Sequence, residues 1–402
     1  MPKLISDQEQ ASAATQSSTT AQQAADKESY ACHGDHCTEL GCPPGVKTTR
    51  IHIDGSEYEV ACGSTILEAA RLHNIYIPSL CYMKERSQIG SCRVCMVEVA
   101  GISKPVPACK TTVFPGMKVN TQSDKIKAYR RLALGLIIAD HGLNSTNFCF
   151  SCKRNGSCEL QDVCRNEGVL DQIFEPGTPR GPVLEDNPYL SYDPQLCITC
   201  QRCVGACNSS AGNHSLQSGR AGNRLTIEAP FGKDWDTTVC ESCGNCAQAC
   251  PTGALTVKRR KDYRDWECSK VRTTCPFCGV GCQLDLYVKD GKIVDSMGAY
   301  GPSNKGLLCV KGRSASFDFI SAADRLKTPL IKNKETGEFE EASWDEALDL
   351  IVNKFTQIKN EHGGEALAAF ACSRSTNEDI YQFMKMARIA FQTNNVDNCA
   401  RV

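Results

Sequence analysis

The chain carries 27 cysteines against 13 phenylalanines and 3 tryptophans, and most of the thiols fall in short, regular spacings. Thiolates hold iron–sulfur clusters, and a Cys-x2-Cys loop lets neighbouring side chains converge on one cluster. The first group is Cys81, Cys92, Cys95 and Cys109, and the second is Cys149, Cys152, Cys158 and Cys164. The third is doubled: Cys197, Cys200, Cys203 and Cys207 form C-x2-C-x2-C-x3-C, and Cys240, Cys243, Cys246 and Cys250 repeat it before Pro251. The fourth, in TCPFCGVGC and GLLCVKGR, is Cys275, Cys278, Cys282 and Cys309. Such groups move single electrons. A four-cysteine zinc site is the competing reading for the first group, and two matched copies argue against zinc in the third.

Composition narrows the setting. A chain of 402 residues has room for two or three domains, and a net charge of -1 gives no sign of a nucleic-acid or membrane surface. The start, MPKLISDQEQASAATQ, has no basic stretch followed by an apolar one. The apolar run Leu132–Leu134, with Leu136–Ala139 after Gly135, is too short to span a bilayer. Many cysteines in a long chain of this kind mean metal sites in a reducing compartment more often than disulfides. The expectation is a soluble cytoplasmic metalloprotein.

The elements that must position these thiols are partly legible. Residues 1–48 are polar and rich in Ser, Thr, Gln and Ala, which predicts a disordered extension. Its Cys32, His33, His36, Cys37 and Cys42 follow no defended metal-site spacing. In IHIDGSEYEV, apolar and polar residues alternate on both sides of Asp54-Gly55, predicting a hairpin. STILEAARLHN predicts a helix capped by Ser64 or Thr65. A hairpin, a helix and cysteine-bearing loops make the opening of a small β-grasp domain. A loop-like EPGTPRGPVLEDNP stretch separates the second group from the third. Further on, Ser343 and Glu346 make a capping box for a helix ending at Gly363-Gly364. ALAAFACSR predicts a buried strand and Asn377 to Phe391 a second helix, the start of an α/β domain.

The first group, with gaps of ten, two and thirteen residues, resembles the binuclear-cluster domain in the large cluster-bearing subunit of NADH:quinone oxidoreductase. The second resembles the module of that family in which three cysteines and a histidine hold a [4Fe–4S] cluster. Relatives place the histidine four residues before the first cysteine, where this chain has Ser145. The fourth ligand is therefore His141 or Cys164, and the Asp140-His141 pair after an apolar helix, which resembles the family's arrangement, favours His141. The doubled run has the bacterial two-cluster ferredoxin pattern, in which each fourth cysteine serves the other cluster. That implies Cys197, Cys200, Cys203 and Cys250 for one, and Cys240, Cys243, Cys246 and Cys207 for the other. The fourth group resembles the N-terminal [4Fe–4S] domain of molybdenum- or tungsten-bispterin oxidoreductases. The resemblance implies Lys311 as an electron relay between cluster and pterin, and Arg374 as a pterin contact; an ordinary surface lysine is the alternative for Lys311. Cys62, Cys268, Cys372 and Cys399 stay unassigned and are expected to be small core residues.

The fold class expected is α+β and multi-module. Residues 49–127 form a β-grasp [2Fe-2S] ferredoxin-like domain, 128–186 a small helical [4Fe-4S] module with its linker, and 187–262 a 2x[4Fe-4S] ferredoxin. Residues 268–325 form the bispterin-type [4Fe-4S] domain, and 326–402 the first part of an α/β pterin-binding domain. This order is similar to the catalytic subunit of cytoplasmic, cluster-rich formate dehydrogenases. The resemblance implies interconversion of formate and CO2, one [2Fe-2S] and four [4Fe-4S] clusters, and a Mo- or W-bis(molybdopterin guanine dinucleotide). It also implies a flavin- or cluster-bearing partner subunit passing electrons to NAD(P) or ferredoxin. In that family the stretch resembling NNVDNCARV precedes selenocysteine or cysteine, so a metal ligand is expected directly after Val402 and no formate turnover from these 402 residues alone. Two alternatives stay open: a non-catalytic electron-transfer subunit like the complex I homologue, and an iron-only hydrogenase. No G-x-G-x-x-G fingerprint follows a strand, which argues against a nicotinamide site in this chain.

Overall fold

The computed structural model describes residues 47–399 apart from 85, 142–147, 170, 178–180, 222–223, 230–233, 236–237, 260–262 and 315–316. The cysteines and histidines of the N-terminal extension, and Ser145, lie outside the described residues. The chain divides into two units, Met1–Cys268 and Ser269–Val402.

In the first unit, β1 (Thr48–Ile53) and β2 (Ser56–Ala61) pair antiparallel around Asp54 and Gly55. Both turn residues are left-handed, with φ of 51° and 88°, as a tight two-residue hairpin requires. The Asp54 carboxylate accepts from the Thr121 amide at 2.7 Å, anchoring the turn to a segment 67 residues away. Helix α1 (Ile66–Leu72) is capped by Thr65 in a reciprocal box with Glu68. Strands β3 (Met96–Val99), β4 (Val106–Pro107) and β5 (Lys118–Asn120) complete a five-stranded sheet in the order β2-β1-β5-β3-β4. Because β1 runs parallel to β5, this is the β-grasp arrangement expected. Its core gathers Ile51, Ile53, Ile66, Leu67 and Val97 around the buried Cys95 and Cys109.

Helix α2 (Asp124–Asp140), capped by Ser123, runs across the expected boundary at residue 127. With α3 (Phe148–Ser151) and α4 (Glu159–Asn166) it forms the helical module. A second core joins Leu80 and Val94 from the β-grasp loops, Leu134 and Ile138 from α2, and Leu160 and Val163 from α4, with Ile198 packed against it. Three cysteine modules therefore share one apolar interior. The next segment closes on itself: β6 (Leu190–Tyr192) pairs with a strand at Leu255–Val257, and Leu190, Leu196 and Val257 pack around Cys197, Cys203, Cys246 and Cys250.

The second unit opens on an antiparallel meander of Ser269–Thr274, Gln283–Lys289 and Lys292–Gly298. The expected capping box is present: Ser343 and Glu346 start the helix Trp344–His362, and Gly363 ends it at φ 81°. Strands Ala369–Ala371 and Val396–Asn398 pair in parallel, with the helix Asn377–Met386 in the crossover. Three expectations need correction here. The second helix is α-helical only to Met386 and widens into a π turn over Ala387–Phe391. The strand in ALAAFACSR is three residues long and buries Ala369, whereas Phe370 is 78% exposed. Among the described residues this strand pairs only with Val396–Asn398, so its other edge is unpaired. Cys372 and Cys399 are exposed and Cys268 half-buried, so these three are not core residues; Cys62 is buried. No helix among the described residues is long and apolar enough to cross a membrane.

Candidate metal centres

The first group converges at the loops of the β-grasp sheet. Cys81 sits before a tight loop in which Ser87 hydrogen-bonds back to the Cys81 carbonyl at 3.3 Å, and Arg93 between Cys92 and Cys95 is left-handed at φ 57°. Cys81 hydrogen-bonds with Cys109 and Cys92, and Cys95 with Cys109. Hydrogen bonds from the Cys109 and Cys92 thiols pull Cys81 down to about 2, and Cys109 likewise lowers Cys95. The donors Cys92 and Cys109 are pushed up by the same contacts. Tyr82 donates to Glu68 at 2.5 Å, fixing this loop to α1.

In the second group, the Cys158 sulfur lies 3.6 Å from the Pro251 carbonyl, and the Glu159 amide donates to that same oxygen at 2.9 Å. The structure sets Cys164 beside Cys158 and Cys149: burial, with those two neighbours, lifts its thiol to about 12. His141 is buried at the C-cap of α2, and the loop that follows it lies outside the described residues. Arg264 donates to the Cys152 carbonyl.

The doubled run shows one backbone design used twice. Thr199 and Gln201 have φ of 52° and 59°; their counterparts Ser242 and Gly244 have 52° and 69°. These left-handed residues turn amides back onto sulfur: Thr199 N donates to Cys197 at 3.3 Å and Ser242 N to Cys240 at 3.4 Å. Further donors reach Cys207 from Ser215 N at 3.3 Å and Cys240 from Asn187 Nδ2 at 3.7 Å. Cys250 and Cys200 are electrostatic neighbours, as are Cys207 and Cys243. The fourth cysteine of each run thus lies beside the other run. Burial drives the Cys200, Cys203 and Cys246 thiols up, and bound iron would take such buried thiols to thiolates. Among the described residues no three Cys, His, Asp or Glu side chains are close enough to hold one metal ion; clusters of two or four irons bridge wider gaps between their thiolates.

In the second unit, Cys275 is buried, Cys282 half-buried, and Cys278 and Cys309 exposed. The Cys275 amide donates to the Cys282 carbonyl at 2.8 Å, closing the loop. Asn304, 6% exposed, donates to the carbonyls of Gln283, Ala299 and Leu307 and so holds the Cys309 segment against the meander. Helix Val310–Ser314 carries Lys311, exposed, next to Gly312, where an added Cβ would lie 3.3 Å from Cys275 Sγ. At Gly279 a Cβ would meet the carbonyl oxygens of Ser373 and Ser375. The cysteine loop therefore abuts the turn bearing Arg374, also exposed, at the C-terminal end of a parallel strand. Such ends are where α/β sheets take ligands. Cys399, at the end of the adjacent strand, receives the Ser373 amide at 3.4 Å and touches its hydroxyl at 3.2 Å; these contacts lower its thiol.

Five family models match this succession. Residues 46–124 match a 2Fe-2S iron-sulfur cluster binding domain and 130–172 the NADH-ubiquinone oxidoreductase-G iron-sulfur binding region. Residues 187–256 match the ferredoxin-like domain of NADH-quinone oxidoreductase subunit 3. Residues 268–318 match the molybdopterin oxidoreductase Fe4S4 domain and 325–402 molybdopterin oxidoreductase itself. The chain belongs to the iron–sulfur-rich molybdopterin oxidoreductases.

This molybdopterin oxidoreductase chain is 36% identical over 353 residues to the "NADPH-Fe(3+) oxidoreductase subunit alpha" of Geobacter sulfurreducens, covering 88% of this chain and 40% of that one. It is 35% identical over 401 residues to a "Putative formate dehydrogenase" of Staphylococcus haemolyticus, covering 87% and 39%. It thus spans about 40% of the length of these relatives. A chain of an NAD+-reducing [NiFe]-hydrogenase is similar at 30% identity and a TM-score of 0.48, over 52% of this chain and 87% of that one. The molybdopterin oxidoreductase modules agree with the α+β multi-module class expected from sequence. The sequence alone did not single out Asn187 or Asn304, or the arginines buried between modules; their signal is burial, which no spacing motif encodes.

Proposed function

We propose that the chain is the cluster-bearing part of a formate dehydrogenase catalytic subunit, taking two electrons from formate as HCOO⁻ → CO2 + H⁺ + 2 e⁻ or running the reverse. The observation that carries this reading is the cysteine loop Cys275–Cys282 lying against the Arg374 turn at the ends of two parallel strands. The relatives named as formate dehydrogenases support the substrate. Cys81, Cys92, Cys95 and Cys109 would hold a [2Fe-2S] cluster. Four [4Fe-4S] clusters would be held by Cys149, Cys152, Cys158 and Cys164; by Cys197, Cys200, Cys203 and Cys250; by Cys240, Cys243, Cys246 and Cys207; and by Cys275, Cys278, Cys282 and Cys309. A molybdenum or tungsten bispterin, when bound, supplies the two-electron chemistry. Lys311 and Arg374 would offer it cationic contacts. The amide donors to the cysteine sulfurs would stabilise the charge of each electron added to a bound cluster. A flavin- or cluster-bearing partner subunit would carry the electrons on to NAD(P) or ferredoxin.

The test uses the complete subunit, purified anaerobically with its iron, sulfide and pterin measured. Formate should reduce viologen dye, and labelled CO2 should exchange into formate. A loaded subunit that ignores formate overturns the reading. If its complex then reduces Fe(III) with NADPH, the second reading, an electron-transfer subunit like the Geobacter relative, takes its place.

A further inference from the structure

Arg202 lies between the second and third cysteines of the first ferredoxin run, and its side chain is 12% exposed. Its Nη1 reaches Glu159 Oε2 at 2.6 Å and the Leu80 carbonyl at 3.5 Å. Glu159 follows Cys158, and Leu80 precedes Cys81. One guanidinium therefore touches the residue next to a cysteine in two other modules. The backbones meet here too. At Gly205, one helical turn on, an added Cβ would collide with the Arg86 carbonyl and lie 3.0 Å from Ser87 Cβ, in the loop after Cys81. This approach tolerates only glycine, so the contact is a tight joint between modules.

The joint is charged. Arg202 is ion-paired with Glu159 and stands two residues from Cys200 and one from Cys203. Arg202 Nε is buried without a hydrogen-bond acceptor among the described residues. A cluster on Cys200 and Cys250 would bring acceptor sulfur and negative charge into that neighbourhood, and reduction adds one more negative charge. A cation in a poorly screened interior favours the reduced state.

We propose that Arg202 is a positioning residue for electron transfer: it ties the Cys81 loop and the Cys158–Glu159 turn to the first ferredoxin run, and its charge raises the reduction potential of the cluster on Cys197, Cys200, Cys203 and Cys250. The proposal rests on the cluster assignment above. Glu159 opposes the charge, so the two residues set the potential against each other.

The test is an EPR redox titration of the anaerobically purified full chain, with iron and acid-labile sulfide counted. The relevant signal is the one lost in Cys200→Ala. Arg202→Met should keep the iron and cut the reduced-to-oxidised ratio of that signal about tenfold at fixed potential, which is about 59 mV for one electron. Glu159→Gln should move the ratio the opposite way, and Arg202→Lys should stay near the wild-type value. If Arg202→Met loses the cluster, the lysine and glutamine variants decide: an upward shift in Glu159→Gln with little change in Arg202→Lys supports the proposal. Unmoved potentials in Arg202→Met and Glu159→Gln, or lysine behaving as methionine does, overturn it. A chain with normal iron but no signal lost in Cys200→Ala overturns the cluster assignment, and the proposal with it.

Discussion

Arg130 and Glu167 form an ion pair at 3.6 Å with side chains only 1% and 9% exposed. Arg130 comes from the middle of α2 and also donates to the Met96 carbonyl at 3.2 Å, one residue past Cys95; Glu167 is the C-cap of α4. The pair pins the helical module to the strand that leaves the first cysteine group. Burial lowers the arginine's proton affinity, and Glu167 counters it.

Breaking this pair on one side should be costly. Arg130→Met leaves a carboxylate buried without its partner, and a loss of about 3–5 kcal/mol is expected. Replacing both residues with leucine should recover most of that, since two buried charges are expensive to desolvate. Denaturant unfolding of the full chain, followed by loss of the visible charge-transfer absorption, checks both variants.

Cys164, not His141, should complete the second group. Cys164→Ser is expected to remove about one cluster's worth of iron and sulfide, while His141→Asn retains it. Iron analysis of the two variants decides, and the reverse pattern would hand the ligand role to His141.

Gly279 should tolerate no side chain. A Cβ there meets the Ser373 carbonyl 2.5 Å away, and overpacking of this kind costs about 1–3 kcal/mol. Gly279→Ala should make the second unit more sensitive to proteolysis and leave the first unit's clusters intact, as limited digestion with iron analysis would reveal.

Cys399 should be more reactive than an ordinary surface thiol. The Ser373 hydroxyl and amide stabilise its thiolate, so the thiolate persists to lower pH than usual. Alkylation rate against pH, read at Cys399 by mass spectrometry, should turn up earlier than for a free cysteine. Ser373→Ala should push that inflection back up; an unchanged profile would show that the hydrogen bond has no such effect.

Much of the fold was legible in the residues. The Asp54-Gly55 hairpin, the Thr65 and Ser343 caps and the stop at Gly363 depend on local chemistry: a left-handed turn, a side chain accepting an amide, a glycine after the last helical residue. The cysteine groups were legible for a related reason, because a Cys-x2-Cys loop brings its sulfurs together within a few residues. What the sequence could not decide lies across long separations. Cys164 is six residues from Cys158 on one helix, but its nearness to Cys149 depends on how that helix packs. Phe370, in a stretch apolar enough for a core, is exposed because burial depends on neighbours in space, not on the run itself. Arg130 and Arg202 look like surface charges in the sequence, yet Arg130 is buried and Arg202 largely covered, because partners 37 and 43 residues away make that tolerable. Local pattern determined where the electrons can rest; packing decided which resting places adjoin and which charges lie beside them.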